Sequence, residues 1–221
     1  MLSEAIGSVL PVAVAVALSP IPIVAVVVLL GTPRARSNGA AFTLGWIAGL
    51  AVVMAVVLLL AGGTDSDSSD TTVSWGLLAL GVLLLALAVR QWRTRPRRGE
   101  DPKLPAWLAT VDAFTPAKSF VAGVLLSGVN PKNLALTIAA AGSIALADLD
   151  SAQELWAAVV FVAIASSSVI VLVAASLVAH DRMTRPLATV RAFMAEHNAA
   201  IMTVILLLLG VKLVGDALPG L

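Results

Sequence analysis

Gly128-Val129-Asn130-Pro131-Lys132-Asn133 interrupts an apolar run that extends from Ala117 to Leu146. An ammonium, two amides and a helix-breaking proline meet there, at a depth where a charged side chain costs about 3 kcal/mol or more unless something compensates it. Proline removes a backbone donor and clashes with the preceding turn. The run would be about 45 Å long as a helix, against a hydrocarbon core of about 30 Å. It must therefore tilt, kink or re-enter.

Working outward, the composition sets the class. Of the 221 residues 59% are hydrophobic and 12% charged, with a net charge of +1. These are proportions of a polytopic helical membrane protein, not of a soluble domain or a nucleic-acid binder. There are no cysteines, which excludes disulfides and thiolate metal sites. The two histidines, His180 and His197, lie outside the apolar runs, so no metal centre and no cofactor is expected. The chain has no Walker A loop, no HExxH pair and no nucleophile elbow. It is not expected to be an enzyme. Without a basic leader or a small-residue cleavage site, residues 1–30 are expected to be a retained first span.

Six apolar runs are long enough to cross or nearly cross the hydrocarbon: residues 6–30, 40–61, 73–89, 117–146, 155–179 and 199–214. The loops between them alternate in charge. Arg34 and Arg36 follow the first run, Arg90, Arg93, Arg95, Arg97, Arg98 and Lys103 the third, and Arg182, Arg185 and Arg191 the fifth. The second loop carries Asp65, Asp67 and Asp70, and the fourth Asp148, Asp150 and Glu154. The positive-inside rule then puts the basic loops in the cytoplasm and both termini outside a cytoplasmic, inner membrane.

With that topology the expected fold is all-α, integral to the membrane, with six transmembrane helices arranged as two inverted three-helix repeats. The first repeat takes residues 1–91 and the second 117–221, joined by a basic cytoplasmic linker over 92–116. The first run is broken at Ser19-Pro20-Ile21-Pro22 and the fourth at Asn130-Pro131-Lys132-Asn133. Broken helices at matching places in inverted halves are a feature of secondary transporters. Within the linker, Trp107, Leu108, Val111 and Phe114 share a helical face, which predicts a short interfacial helix from Leu104 to Phe114. A second is predicted over Thr184 to His197, with Pro186 in its first turn. The Asp- and Ser-rich stretch from Thr64 to Thr72 has the composition of a flexible loop.

The candidate binding residues follow from the breaks: Ser19, Pro20 and Pro22 in the first, and Ser127, Asn130, Pro131, Lys132 and Asn133 in the second. No Asp or Glu stands mid-span, so Lys132 must lean on amides, carbonyls and water, or await an anionic ligand. The N-terminal amides of half-helices would assist such a ligand. The plain alternative is that Lys132 caps carbonyls left by a proline. Asp112 is a weaker candidate for a gate or relay, set against a solvated interfacial carboxylate. Trp46 is a candidate lining residue. Ser166-Ser167-Ser168, with Gly45 and Gly49, suggest close helix packing, and Lys212 with Asp216 an ion pair one turn apart.

The pattern resembles a known group. Arg34-x-Arg36-x-x-Gly39 with Gly45 and Gly49, and Leu126-x-x-x-Asn130-Pro131-Lys132, resemble elements of the LysE-type exporter superfamily. Ala17-Leu18-Ser19-Pro20-Ile21-Pro22, Pro105-x-Trp107, Asp112, Thr115-Pro116 and Asn130-Pro131-Lys132-Asn133 resemble the GAP/Sap group of small actinobacterial membrane proteins, named for addressing glycopeptidolipid or sulfolipid to the cell surface. The resemblance implies a six-span exporter, secondary or flippase-like, that delivers an envelope lipid or lipid-linked anionic substrate. Its partners would be membrane lipids, with anionic lipid or glycolipid as cargo, and envelope-lipid biosynthesis or export machinery. Gly- and Ala-rich faces permit a homodimer. Two alternatives stand beside it: a small-solute exporter of the amino-acid type, and a non-transporting scaffold of a lipid-export machine.

Overall fold

The computed structural model describes residues 1–62, 66–95, 106–178 and 180–218, and every regular element in them is helical. In chain order they are α1 (Leu2–Ala17), α2 (Pro20–Leu30), α3 (Ala35–Gly62), α4 (Ser66–Arg93), a 3₁₀ helix (Ala106–Ala113) and α5 (Pro116–Val124). A π-helical turn (Leu125–Val129), α6 (Pro131–Ala145), α7 (Ser151–Val178) and α8 (His180–Ala217) follow.

Four segments are long and apolar enough to cross a membrane: Ala35–Ala61, Ser74–Arg93, Ser151–Val178 and Arg185–Ala217. A fifth crossing results if α1 and α2, bent by 49° at their junction, count as one span. The protein is thus a multi-pass membrane protein. The fourth apolar run is divided by its break into Pro116–Val129 and α6.

Two close helix crossings organise the packing. On α3, Phe42, Gly45, Trp46 and Gly49 recur at helical spacing and face α5. A Cβ at Gly45 would overlap the Phe120 carbonyl, and one at Gly123 would overlap the Phe42 carbonyl. Glycine is required at both positions because two backbones pass there, as in small-residue crossings of membrane helices. Phe42 and Trp46 stack at 6.3 Å and are fully buried beside this crossing. The second crossing joins α4 to α8, where Gly81 and Gly210 face one another's helices. The first span packs on α7, and α6 lies between α1 and α3.

Three local expectations are revised. The segment over Thr184 to His197 is not a separate helix, because α8 runs unbroken from His180 to Ala217 with Pro186 inside it. Pro186 is exposed, so water can serve the carbonyl that its missing N–H leaves. The Asp- and Ser-rich stretch is helical from Ser66 onward. Its earlier part, residues 63–65, lies outside the described residues. The 104–114 helix is 3₁₀ from Ala106, and its apolar face turns into the protein. Val111 and Leu108 are buried in the core, and Trp107 stacks on Phe114 at 6.4 Å.

Candidate functional site

The first break arises from how Ser19 spends its backbone N–H. It bonds the Val16 carbonyl at 3.2 Å, a tight three-residue turn, which leaves the Ala15 carbonyl without its helical donor. Pro20 opens α2 at the position where proline is favoured, because a first-turn N–H has no intrahelical partner anyway. Pro22 removes another first-turn donor. The Ala17 carbonyl likewise has no donor from its own chain segment and accepts from the Ser168 hydroxyl at 2.6 Å.

At the second break the chain widens instead of tightening. The Asn130 N–H reaches back five residues to the Leu125 carbonyl at 2.8 Å. In that register the next donor, to Leu126, would be residue 131, and proline cannot supply it. The Asn133 side chain does so, its Nδ2 donating to the Leu126 carbonyl at 2.8 Å. Asn130 closes the turn locally, its Oδ1 accepting from the Lys132 N–H at 3.1 Å as the N-cap of α6.

The two breaks meet. Lys132 Nζ donates to Ser19 Oγ at 2.7 Å and to the Ala15 carbonyl at 2.9 Å. Ser19 Oγ in turn donates to Asn133 Oδ1 at 3.0 Å. The result is a single chain of hydrogen bonds from the Leu126 carbonyl through Asn133, Ser19 and Lys132 to the Ala15 carbonyl. Its members are shut away from the surface: Asn133 is 0% exposed, Ser19 2% and Lys132 8%. The described ion pairs lie elsewhere, at Met1–Glu4 and at Lys212–Asp216, where the expected pair forms. Lys132 is therefore held by neutral oxygens alone among the described residues. With three donor hydrogens and two acceptors engaged, the ammonium keeps one hydrogen unassigned.

The structure thus joins Ser19, Lys132 and Asn133 directly and sets Asn130 and the three prolines as the backbone frame around them. Ser127 stands apart. It is fully buried, its hydroxyl donates to the Val124 carbonyl at 3.3 Å, and it packs against Gly49 on α3. Half-helix amides contribute less than expected, because Pro20, Pro22 and Pro131 carry none and the Lys132 N–H is already capped. Asp112 has its backbone in the 3₁₀ helix, and its side chain lies outside the described residues. Ser168, one of the mid-span serines expected to mark close helix packing, ties α7 to the first break. Its signal was available as a hydroxyl in mid-span, but not its partner. Trp46 is buried with its Nε1 unpartnered, and it lines the α3–α5 crossing.

Fold and site together define a polytopic helical membrane protein in which two helix breaks are tied by a buried lysine. Within that class the chain belongs to the family of Sap, sulfolipid-1-addressing protein, whose model matches residues 9–218. No curated protein and no solved structure matches it.

Proposed function

We propose that this protein is a secondary, flippase-like exporter that delivers an envelope lipid with an anionic head group across the cytoplasmic membrane, without a catalytic step. The observation that carries the reading is the buried Lys132 ammonium, bridging two helix breaks with no carboxylate among its partners. The family's sulfolipid-addressing description agrees with a lipid cargo that bears a negative charge.

In this reading the chain has six spans in two inverted halves, residues 1–91 and 117–221, with 92–116 as the cytoplasmic linker and both termini outside. Several contacts support it. Residue numbers rise together along α3 and α5, from Asn38 on Phe114 to Gly49 on Val124, so these helices run parallel. They fall against each other along α4 and α8, where Gly81 meets Val214 and Leu85 meets Gly210, so those run antiparallel. Exchanging the halves maps the packing of the first span on α7 onto that of α5 and α6 on α3.

The network as it stands is closed, with Ser19 Oγ and the Ala15 carbonyl in the positions that ligand oxygens would take. A sulfate, phosphate or carboxylate would displace them from Lys132 as the halves rock apart, and exchange neutral acceptors for charged ones. Ser19 and Asn133 would then line the head-group path, and the lipid tails would stay in the bilayer beside the opening.

The test is a Lys132→Ala protein that still inserts, in cells whose surface-extractable and cell-retained lipids are compared. Export of the anionic lipid is expected to fall at least about tenfold, equivalent to about 1.4 kcal/mol. Unchanged export would reduce Lys132 to a tie between the halves and remove the cargo assignment.

A further inference from the structure

A second lipid site is suggested by a groove remote from the Lys132 network. It has a volume of about 490 Å³ and lies between the C-terminal end of α2 and the first third of α8, within the range of small-molecule sites. One wall is Val27, Leu30 and Gly31; the other is Leu187, Ala188 and Arg191. Val27, Leu30 and Leu187 are buried and apolar.

The position of the groove matters as much as its lining. Gly31 caps α2, and Arg34 and Arg36 follow it, so the groove sits where the first span reaches the basic membrane surface. α8 is 38 residues, about 57 Å, long. Its N-terminal third therefore extends beyond a hydrocarbon core of about 30 Å, and Arg191 stands at head-group level. Arg191 is exposed and takes part in no described ion pair. The facing segment, residues 20–36, has no Asp or Glu. On α8, Glu196 is five residues further on and thus on another face, while the side chain of Asp181 lies outside the described residues. An apolar trough topped by a guanidinium without an ion-pair partner among the described residues matches a particular chemistry: an alkyl chain ending in a phosphate diester, which arginine can grip with two hydrogen bonds.

We propose that this groove holds an anionic phospholipid of the adjacent leaflet, with its acyl chain along Val27, Leu30 and Leu187 and its phosphate on Arg191. The assignment does not depend on Lys132. It makes the basic end of the protein a lipid-selective surface and not merely a charged one.

The test uses the full chain, purified in detergent, with lipid retention measured by native mass spectrometry and by the shift in thermal midpoint. Phosphatidylglycerol, phosphatidylcholine and inorganic phosphate are the probes. Phosphatidylglycerol is expected to be retained about tenfold more strongly than phosphatidylcholine. Arg191→Gln, a change at an exposed position, should bring the two to parity. Ala192→Trp, which fills the groove, should lower retention of both. Arg34→Gln lies outside the groove and should leave the preference intact. Equal retention of the two lipids would overturn the proposal. So would an Arg34→Gln effect as large as that of Arg191→Gln, which would show diffuse surface charge. Equal protection by inorganic phosphate alone would replace the lipid with a free anion. Retained phosphatidylglycerol preference in Lys132→Met separates this site from the export reading.

Discussion

At the first break the chain turns through 49° between α1 and α2, and its freed carbonyls are served by the distant half: Ala15 by Lys132 and Ala17 by Ser168. At the second break the repair is local, with a π-helical turn, the Asn130 cap and the Asn133 amide all supplied within a few residues. One break borrows its hydrogen bonds and the other makes its own. The donors therefore concentrate in the second half, while the first contributes two carbonyls and one hydroxyl. Separating α1 from α6 would strand the Ala15 carbonyl and the Lys132 ammonium, but it would leave the backbone repair of the second break in place. Such a contact is suited to opening and closing with a ligand, because α6 can keep its shape while α1 moves and an anion can take over the lysine.

That asymmetry can be broken at its strongest point by Lys132→Ala. It strips the Ala15 carbonyl of its donor in a buried setting, a loss of about 1–3 kcal/mol. Thermal unfolding in detergent should register it, and amide exchange should rise around residues 15–19 more than around residues 132–134. Equal change at both breaks would contradict the asymmetry. Asn130→Ala attacks the self-sufficient break, and loss of an N-cap is expected to cost about 1 kcal/mol, with faster exchange confined to the start of α6. Ser168→Ala removes one interhelical bond, worth about 0.6 kcal/mol in membrane proteins, and should loosen only the first break. The sharpest variant for function is Asn133→Asp. It places a carboxylate one hydrogen bond from Lys132 through Ser19 and supplies the counter-ion that the native site lacks. Its stability should move by no more than about 1 kcal/mol because a new charge attraction offsets the lost amide donor. Export of an anionic lipid should nevertheless fall as far as in Lys132→Ala, since the lysine is no longer available to an external anion. Wild-type export in that variant would contradict the anion-binding role.

Much of this was legible in the residues, and what failed to be legible shares a cause. The helical membrane class was legible from apolar run lengths, and the two breaks from proline, since both are properties of one stretch of chain. That Ser19, Lys132 and Asn133 are candidates for a polar site was legible, because uncompensated polar groups in an apolar run need partners, but which of them bond to one another was not. The partner of Ser168 was not legible, because a mid-span serine can back-bond its own helix or reach a neighbour, and the choice depends on which carbonyl passes by. Pro186 was read as a helix start, yet α8 passes through it, because at an exposed position the missing bond can be made good by water. Ser127 was grouped with the lysine by proximity in sequence. Its burial against Gly49 instead follows from the direction it leaves the π-helical turn.

What the sequence by itself determined was therefore one-dimensional: how far each apolar run can reach, where the backbone loses donors, and where charge is affordable. Those follow from local chemistry that holds in any fold. The tertiary structure alone decided which donor serves which orphaned carbonyl, and that Lys132 bridges to α1 instead of capping its own turn. Such pairings depend on distances of about 3 Å between residues more than a hundred positions apart, and no local rule can specify them.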